Sequence, residues 1–82
     1  MKQIAWTKQA QADVRALDKP TALRILSALH RFTKSGVGDV AALRGEAEVF
    51  RLRIGDYRLF FVHTSDEAIE IRRVRHRREA YR

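Results

Sequence analysis

Apolar residues recur at helical intervals up to about Phe32 and alternate with polar ones from about Val49 onward. Ala10, Val14 and Leu17 stand at i, i+4 and i+7, one face of an amphipathic helix running from Lys8 to about Leu17. Ala22, Ile25, Leu26, Leu29 and Phe32 form the buried stripe of a second helix, which runs to about Lys34 and is ended by Ser35-Gly36. Lys2 to Trp6 reads as a short first strand, stopped by Thr7 in the position of a helix N-cap. Asp18 and Pro20 break the first helix and open the second, since the first turn needs no N–H from a proline.

Gly36 to Glu46 holds three of the four glycines and is predicted to be a loop, with Leu43 tucked against the core. Period-two alternation then marks strands over about Val49 to Ile54, Tyr57 to His63 and Ala68 to Val74, the last two joined by a turn at Ser65-Asp66-Glu67. Three consecutive antiparallel strands make a meander whose apolar side the helices can cover. The expected fold is α+β in the order β-α-α-β-β-β, two N-terminal helices on a small antiparallel sheet, as a single domain over residues 1–82.

Within the meander, F-R-L-R-I-G-D-Y-R from Phe50 to Arg58 turns through Gly55-Asp56. A two-residue turn there pairs Ile54 with Tyr57, Arg53 with Arg58, Leu52 with Leu59, Arg51 with Phe60 and Phe50 with Phe61. Like charges opposite one another repel, so stability gives no reason to set Arg53 against Arg58. One exposed strand arginine is ordinary edge protection. Three on one face, Arg51, Arg53 and Arg58 beside Phe60 and Val62, favour a nucleic-acid backbone with one base stacked on the ring.

Composition sharpens this. Eighty-two residues bury roughly 60–65% of the unfolded surface, a thin core, and no cysteine is present to staple it. That absence fits a reducing cytoplasm, and no apolar run nears the ~20 residues of a membrane span, so a soluble cytoplasmic protein is expected. The formal net charge of +7 points to an anionic partner. Its distribution is uneven: all lysines lie in the N-terminal half, whereas the chain from Arg44 onward carries ten arginines and no lysine. Arginine's planar fork suits phosphate, which makes the C-terminal half the candidate binding region.

The ending R-R-V-R-H-R-R-E-A-Y-R, from Arg72, adds His76 and Tyr81, groups able to carry protons among fixed cations. RNA cleavage requires that combination: a base for the 2′-hydroxyl, cations for the phosphorane and an acid for the leaving 5′-oxygen. His30, inside the second helix, and His63, on the packing face by parity, read as structural. The scattered histidines have no metal-ligand spacing, and no phosphate loop or serine nucleophile motif is present, so no metal or cofactor is expected.

At these residues the chain resembles the RelE/ParE superfamily of bacterial toxins from type II toxin–antitoxin systems. The resemblance rests on the element order, Leu43-Arg44-Gly45, the run from Phe50 to Leu59 and the V-x-H-R-x-x-x-Y ending from Val74 to Tyr81, and it spans essentially the whole chain. It implies a RelE-like fold. For the RelE branch it implies a metal-independent endoribonuclease that cuts mRNA in the ribosomal A site, inhibits translation, and is silenced by an antitoxin in a hetero-oligomer. It carries the catalytic positions onto Arg51, Arg53, Arg58, Arg77 and Tyr81; beside them, Arg44, Phe60, Arg72, Arg75 and His76 are expected to contact mRNA or ribosomal RNA.

Two departures matter. Arg51 and Arg53 stand where some members have lysine, and a guanidinium is a poor proton donor, which moves their role to electrostatic stabilisation. Arg75 replaces a frequent glycine before the H-R pair. Acid and base therefore stay open between Tyr81, whose phenol would need a pKa lowered from ~10, and His76, since an imidazole ordinarily titrates near neutrality. Two other readings share the fold: a ParE-like DNA gyrase poison without RNase activity, and a noncatalytic binding module.

Overall fold

The computed structural model describes residues 2–45 and 48–79. Its elements are β1 (Gln3–Trp6), α1 (Lys8–Arg15), α2 (Lys19–Ser35), β2 (Asp39–Ala42), β3 (Val49–Ile54), β4 (Tyr57–Ser65) and β5 (Ala68–His76). They form one five-stranded sheet in the order β1-β5-β4-β3-β2, with β1 parallel to β5 and every other pair antiparallel. The α+β class stands, but β2 corrects the predicted loop and adds a strand. Asp39-Val40-Ala41-Ala42 has one β-branched residue and no apolar alternation, and it is held by backbone pairing along the outer side of β3. Among the described residues no helix is long and apolar enough to cross a membrane.

Local chemistry places both helices. Thr7 has extended backbone angles, and its Oγ1 accepts the Ala10 N–H at 3.1 Å, opening α1. Asp18 opens α2 by accepting the Thr21 hydroxyl at 2.7 Å and the Thr21 N–H at 3.1 Å. These bonds, the hydroxyl first, hold its carboxyl below the usual carboxylate range. Gly36 ends α2 in the left-handed region (φ 77°), its N–H donating to the Phe32 carbonyl at 2.8 Å.

The core lies between the helices and one sheet face. Ile25 and Leu29 of α2 meet Leu52, Leu59, Phe61, Ile69 and Ile71, all essentially inaccessible. Burial of each such side chain is worth about 1.5–3 kcal/mol. Leu26, predicted in the buried stripe, is 40% exposed, because Ile25, Leu29 and Thr33 define the contact line instead.

One irregularity in β5 decides which way its C-terminal half faces. Phe61 pairs with Ile71 but Phe60 pairs with Arg73, so Arg72 is an extra residue, a β-bulge. Without it, Ile71, Arg73 and Arg75 would share the core face. With it, Ile71 and Val74 face the core and Arg75 falls opposite Arg58, away from the helices. α1 holds the bulge from the side: the Thr7 N–H donates to the Ile71 carbonyl at 3.0 Å, its hydroxyl donates to the Arg72 carbonyl at 3.1 Å, and Asp13 Oδ2 accepts the Val74 N–H at 2.9 Å.

Two outcomes test this packing. At Gly38, where β2 begins, an added Cβ would meet Leu52 Cδ1 at 2.8 Å and Phe32 Cδ1 at 3.2 Å. Leu52 is buried and has little room to yield, so Gly38→Ala is expected to lower stability by about 1 kcal/mol or more, read from the urea midpoint. Asp18's carboxyl is held low only in the folded state, so its contribution is complete above the ordinary carboxylate range and lost as pH falls through the folded value. Acid unfolding of Asp18→Asn should accordingly show a shallower pH dependence than the parent.

Candidate nucleic-acid interface

Strand pairing aligns Asp39, Arg53, Arg58 and Arg75 in one row across four strands, on the sheet face away from the helices. The neighbouring row is Ala41, Arg51, Phe60 and Arg73. With strands ~4.8 Å apart, the Cα atoms of Arg53, Arg58 and Arg75 span only about 10 Å. Adjacent like charges cost stability, so the row is arranged at the expense of the sheet that carries it.

Local partners orient it. The Arg58 Nη1 donates to the carbonyls of Gly55 and Tyr57 at 3.0 Å each, bending its guanidinium toward the β3–β4 turn. Asp39 lies 3.8 Å from Arg51 and 4.0 Å from Arg53, and Glu79 lies 3.9 Å from Arg75. These ion pairs are long, and the carboxylate of each is more than half exposed, which makes them weak enough to be exchanged for a phosphate. Arg77 joins the same end of the sheet: its N–H donates to the Asp56 carbonyl at 2.7 Å, and its Nε is 3.8 Å from the Asp56 carboxylate.

The structure thus brings Arg51, Arg53, Arg58 and Arg75 to one face and Arg77 to the hairpin turn beside it. Other predicted residues are placed differently. Phe60 is on that face but only 7% exposed, so the expected open platform for a stacked base is absent. His76 pairs with Tyr57 on the helix side, its ring edge-on to the tyrosine with centroids 5.3 Å apart. Arg44 sits past β2, at the opposite end of β3 from the turn, and Arg72 is paired with Glu70 at 2.7 Å. Tyr81 lies outside the described residues. His63 packs edge-on against Phe50 and Phe61, as its parity required.

Sequence reasoning passed over Asp39, the one acid in the row, and Asp13. The Asp13 side chain is 10% exposed and lies 3.5 Å from the buried Arg73 Nε, which ties that arginine to α1. A signal for Asp13 was present: Ile69, Ile71 and Val74 are apolar at a spacing that breaks alternation, which marks a bulge to be capped. Among the described residues, no group of three His, Cys, Asp or Glu comes together to hold a metal. The described arginine face carries no histidine or tyrosine by register; it can bind and neutralise phosphate.

Comparison with known proteins agrees with the fold. Residues 4–81 match the family model of the ParE toxin of the type II toxin–antitoxin system parDE. A chain of the archaeal RelE–RelB complex from Pyrococcus horikoshii superposes with a TM-score of 0.75 at 26% identity, covering 96% of this chain and 98% of that one. A chain of the toxin–antitoxin complex RelBE2 from Mycobacterium tuberculosis gives 0.63 at 28% identity, over 92% and 96% of the two chains. YafQ from Escherichia coli shares the fold over the full length of both chains, with a TM-score of 0.76 at 12% identity. No match was found among curated proteins.

The burial of Phe60 has a direct test. A ring that stacks a base is worth about 1–3 kcal/mol of binding when truncated. Phe60→Leu is expected instead to leave affinity for a single-stranded RNA oligonucleotide within about twofold and to lower the thermal midpoint, because the ring packs rather than stacks.

Proposed function

The chain belongs to the ParE toxin family of type II toxin–antitoxin systems, and from that premise we propose that it is a cytoplasmic mRNA endoribonuclease acting in the ribosomal A site. The observation that carries this reading is the aligned row Arg53, Arg58 and Arg75, open on the face away from the helices and flanked by Arg77. Cleavage by 2′-hydroxyl attack puts extra negative charge on a pentacoordinate phosphorus. Oriented guanidinium groups stabilise that charge in the transition state. Arg58 is the central member, since its backbone carbonyl partners leave its charge uncancelled. Arg51, Arg53 and Arg77 position the flanking phosphates, and Arg44 and Arg72 add outer contacts to mRNA or ribosomal RNA.

Proton transfer is assigned to Tyr81, the other candidate in the C-terminal sequence, since His76 is on the helix side by register. Loss of the ground-state ion pairs to Asp39 and Glu79 accompanies substrate binding. Control comes from an antitoxin in a hetero-oligomer, by analogy with the RelE–RelB complex, through an acidic or amphipathic segment laid over the arginine row.

A gyrase-poisoning reading also has support, because the family model matched is that of ParE. It uses the basic face to bind a protein target and cleaves no RNA. Sequencing of RNA 5′ ends after induction separates the two: cuts within translated messages support the interferase, and intact messages with DNA gyrase cleavage complexes support the poison. Arg58→Ala is expected to reduce cleavage by about 100-fold or more, and Arg77→Ala to relieve growth arrest, with folding and antitoxin binding retained in both. Full toxicity of both variants would overturn the site.

A further inference from the structure

β5 ends in a turn that His76 closes with two of its own groups. Its carbonyl accepts the Glu79 N–H at 2.8 Å, and its ring Nδ1 accepts the Arg78 N–H at 3.2 Å. Arg77 stands between those donors and the strand, and its own N–H is bonded to the Asp56 carbonyl in the β3–β4 turn, the turn whose Gly55 carbonyl also receives Arg58. The ring also stands edge-on to Tyr57 of β4. Strand end, turn and hairpin are therefore linked through one imidazole nitrogen.

We propose that His76 is a positioning residue: the lone pair on Nδ1 holds the turn that sets Arg77 against the β3–β4 hairpin, beside Arg58. This rests on the interferase reading for its consequence and on the turn alone for its structure. An acceptor at Nδ1 requires the neutral ring with its proton on Nε2. Protonation turns Nδ1 into a donor facing the Arg78 N–H, and the bond is lost. The charged groups that face the ring are Asp13 from α1, Glu79 from the turn and Arg75 from β5, which line the same cavity of about 280 Å³, with Arg77 and Arg78 following in the turn. Tyr57 supplies the remaining wall from β4.

Asparagine separates positioning from acid–base chemistry, because its side-chain oxygen stands near the place of Nδ1 and accepts a hydrogen bond but does not titrate. Two measurements on the purified full chain decide the matter. In NMR, the Arg78 amide should move together with the His76 ring signals between about pH 8 and about pH 5, the interval in which imidazoles change charge. In single-turnover cleavage on programmed ribosomes, the unmutated chain should lose about fivefold or more on the acid side of that interval, the scale of one hydrogen bond. His76→Asn should retain most of the cleavage and lose that acid limb, and His76→Phe should be slow throughout while giving a folded spectrum.

An Arg78 amide that ignores the His76 titration overturns the proposal, as does an acid limb that persists in His76→Asn. Loss of all cleavage in His76→Asn at every pH, with the amide coupling intact in the parent, would instead make the ring itself a proton carrier and also overturn it. If the parent cleaves no message at any pH, the interferase reading fails, and the amide titration still decides whether His76 holds the turn.

Discussion

The extra residue at Arg72 sets the facing of everything after it in β5. A strand that alternated without interruption from Ile69 would carry Arg73 and Arg75 into the core and leave Val74 outside, burying two charges in a domain with little core to lose. The bulge removes that conflict, and α1 stabilises it: Thr7 bonds the carbonyls of Ile71 and Arg72, and the Asp13 carboxylate takes the Val74 N–H where β1 no longer runs alongside. The helix cap and the strand irregularity are one device, and Arg75 joins Arg53 and Arg58 because of it.

That row opposes the fold that supports it. Arg53, Arg58 and Arg75 repel one another across neighbouring strands, and the acids near them, Asp39 and Glu79, are only loosely engaged. Stability comes instead from the other face, where Leu52, Leu59, Phe61, Ile69 and Ile71 meet Ile25 and Leu29. The division is typical of a site whose charges are oriented before the ligand arrives, so that little reorganisation is needed when it binds. The Arg58 bonds to two backbone carbonyls express this, since they fix direction and cancel no charge.

Much of this was legible in the chain. The β3–β4 hairpin and its register followed from alternation and the Gly55-Asp56 turn, the Thr7 cap from a side chain suited to accept a backbone N–H, and the start of α2 from Asp18 and Pro20. Other features depended on long-range contacts that local patterns do not encode. β2 is a strand because β3 offers it an edge, not because Asp39-Val40-Ala41-Ala42 prefers to extend. His76 looked like a member of the basic tail, and it was the bulge, four residues earlier, that turned it toward Tyr57. Phe60 had the right parity for a stacking platform, and only the assembled face shows the ring to be covered.

The covered ring has a consequence for the electrostatics of the face. Phe60 lies in the row with Arg51 and two positions from Arg58 along β4, with almost none of its surface in water. The neighbour these two arginines share on the face is therefore a hydrocarbon ring, which polarises weakly. Charges bounded by such a floor are screened chiefly from the open side, and their field on an approaching phosphate is stronger than the same arginines would produce on a fully hydrated sheet. The sheet acts in this respect as a dielectric backing.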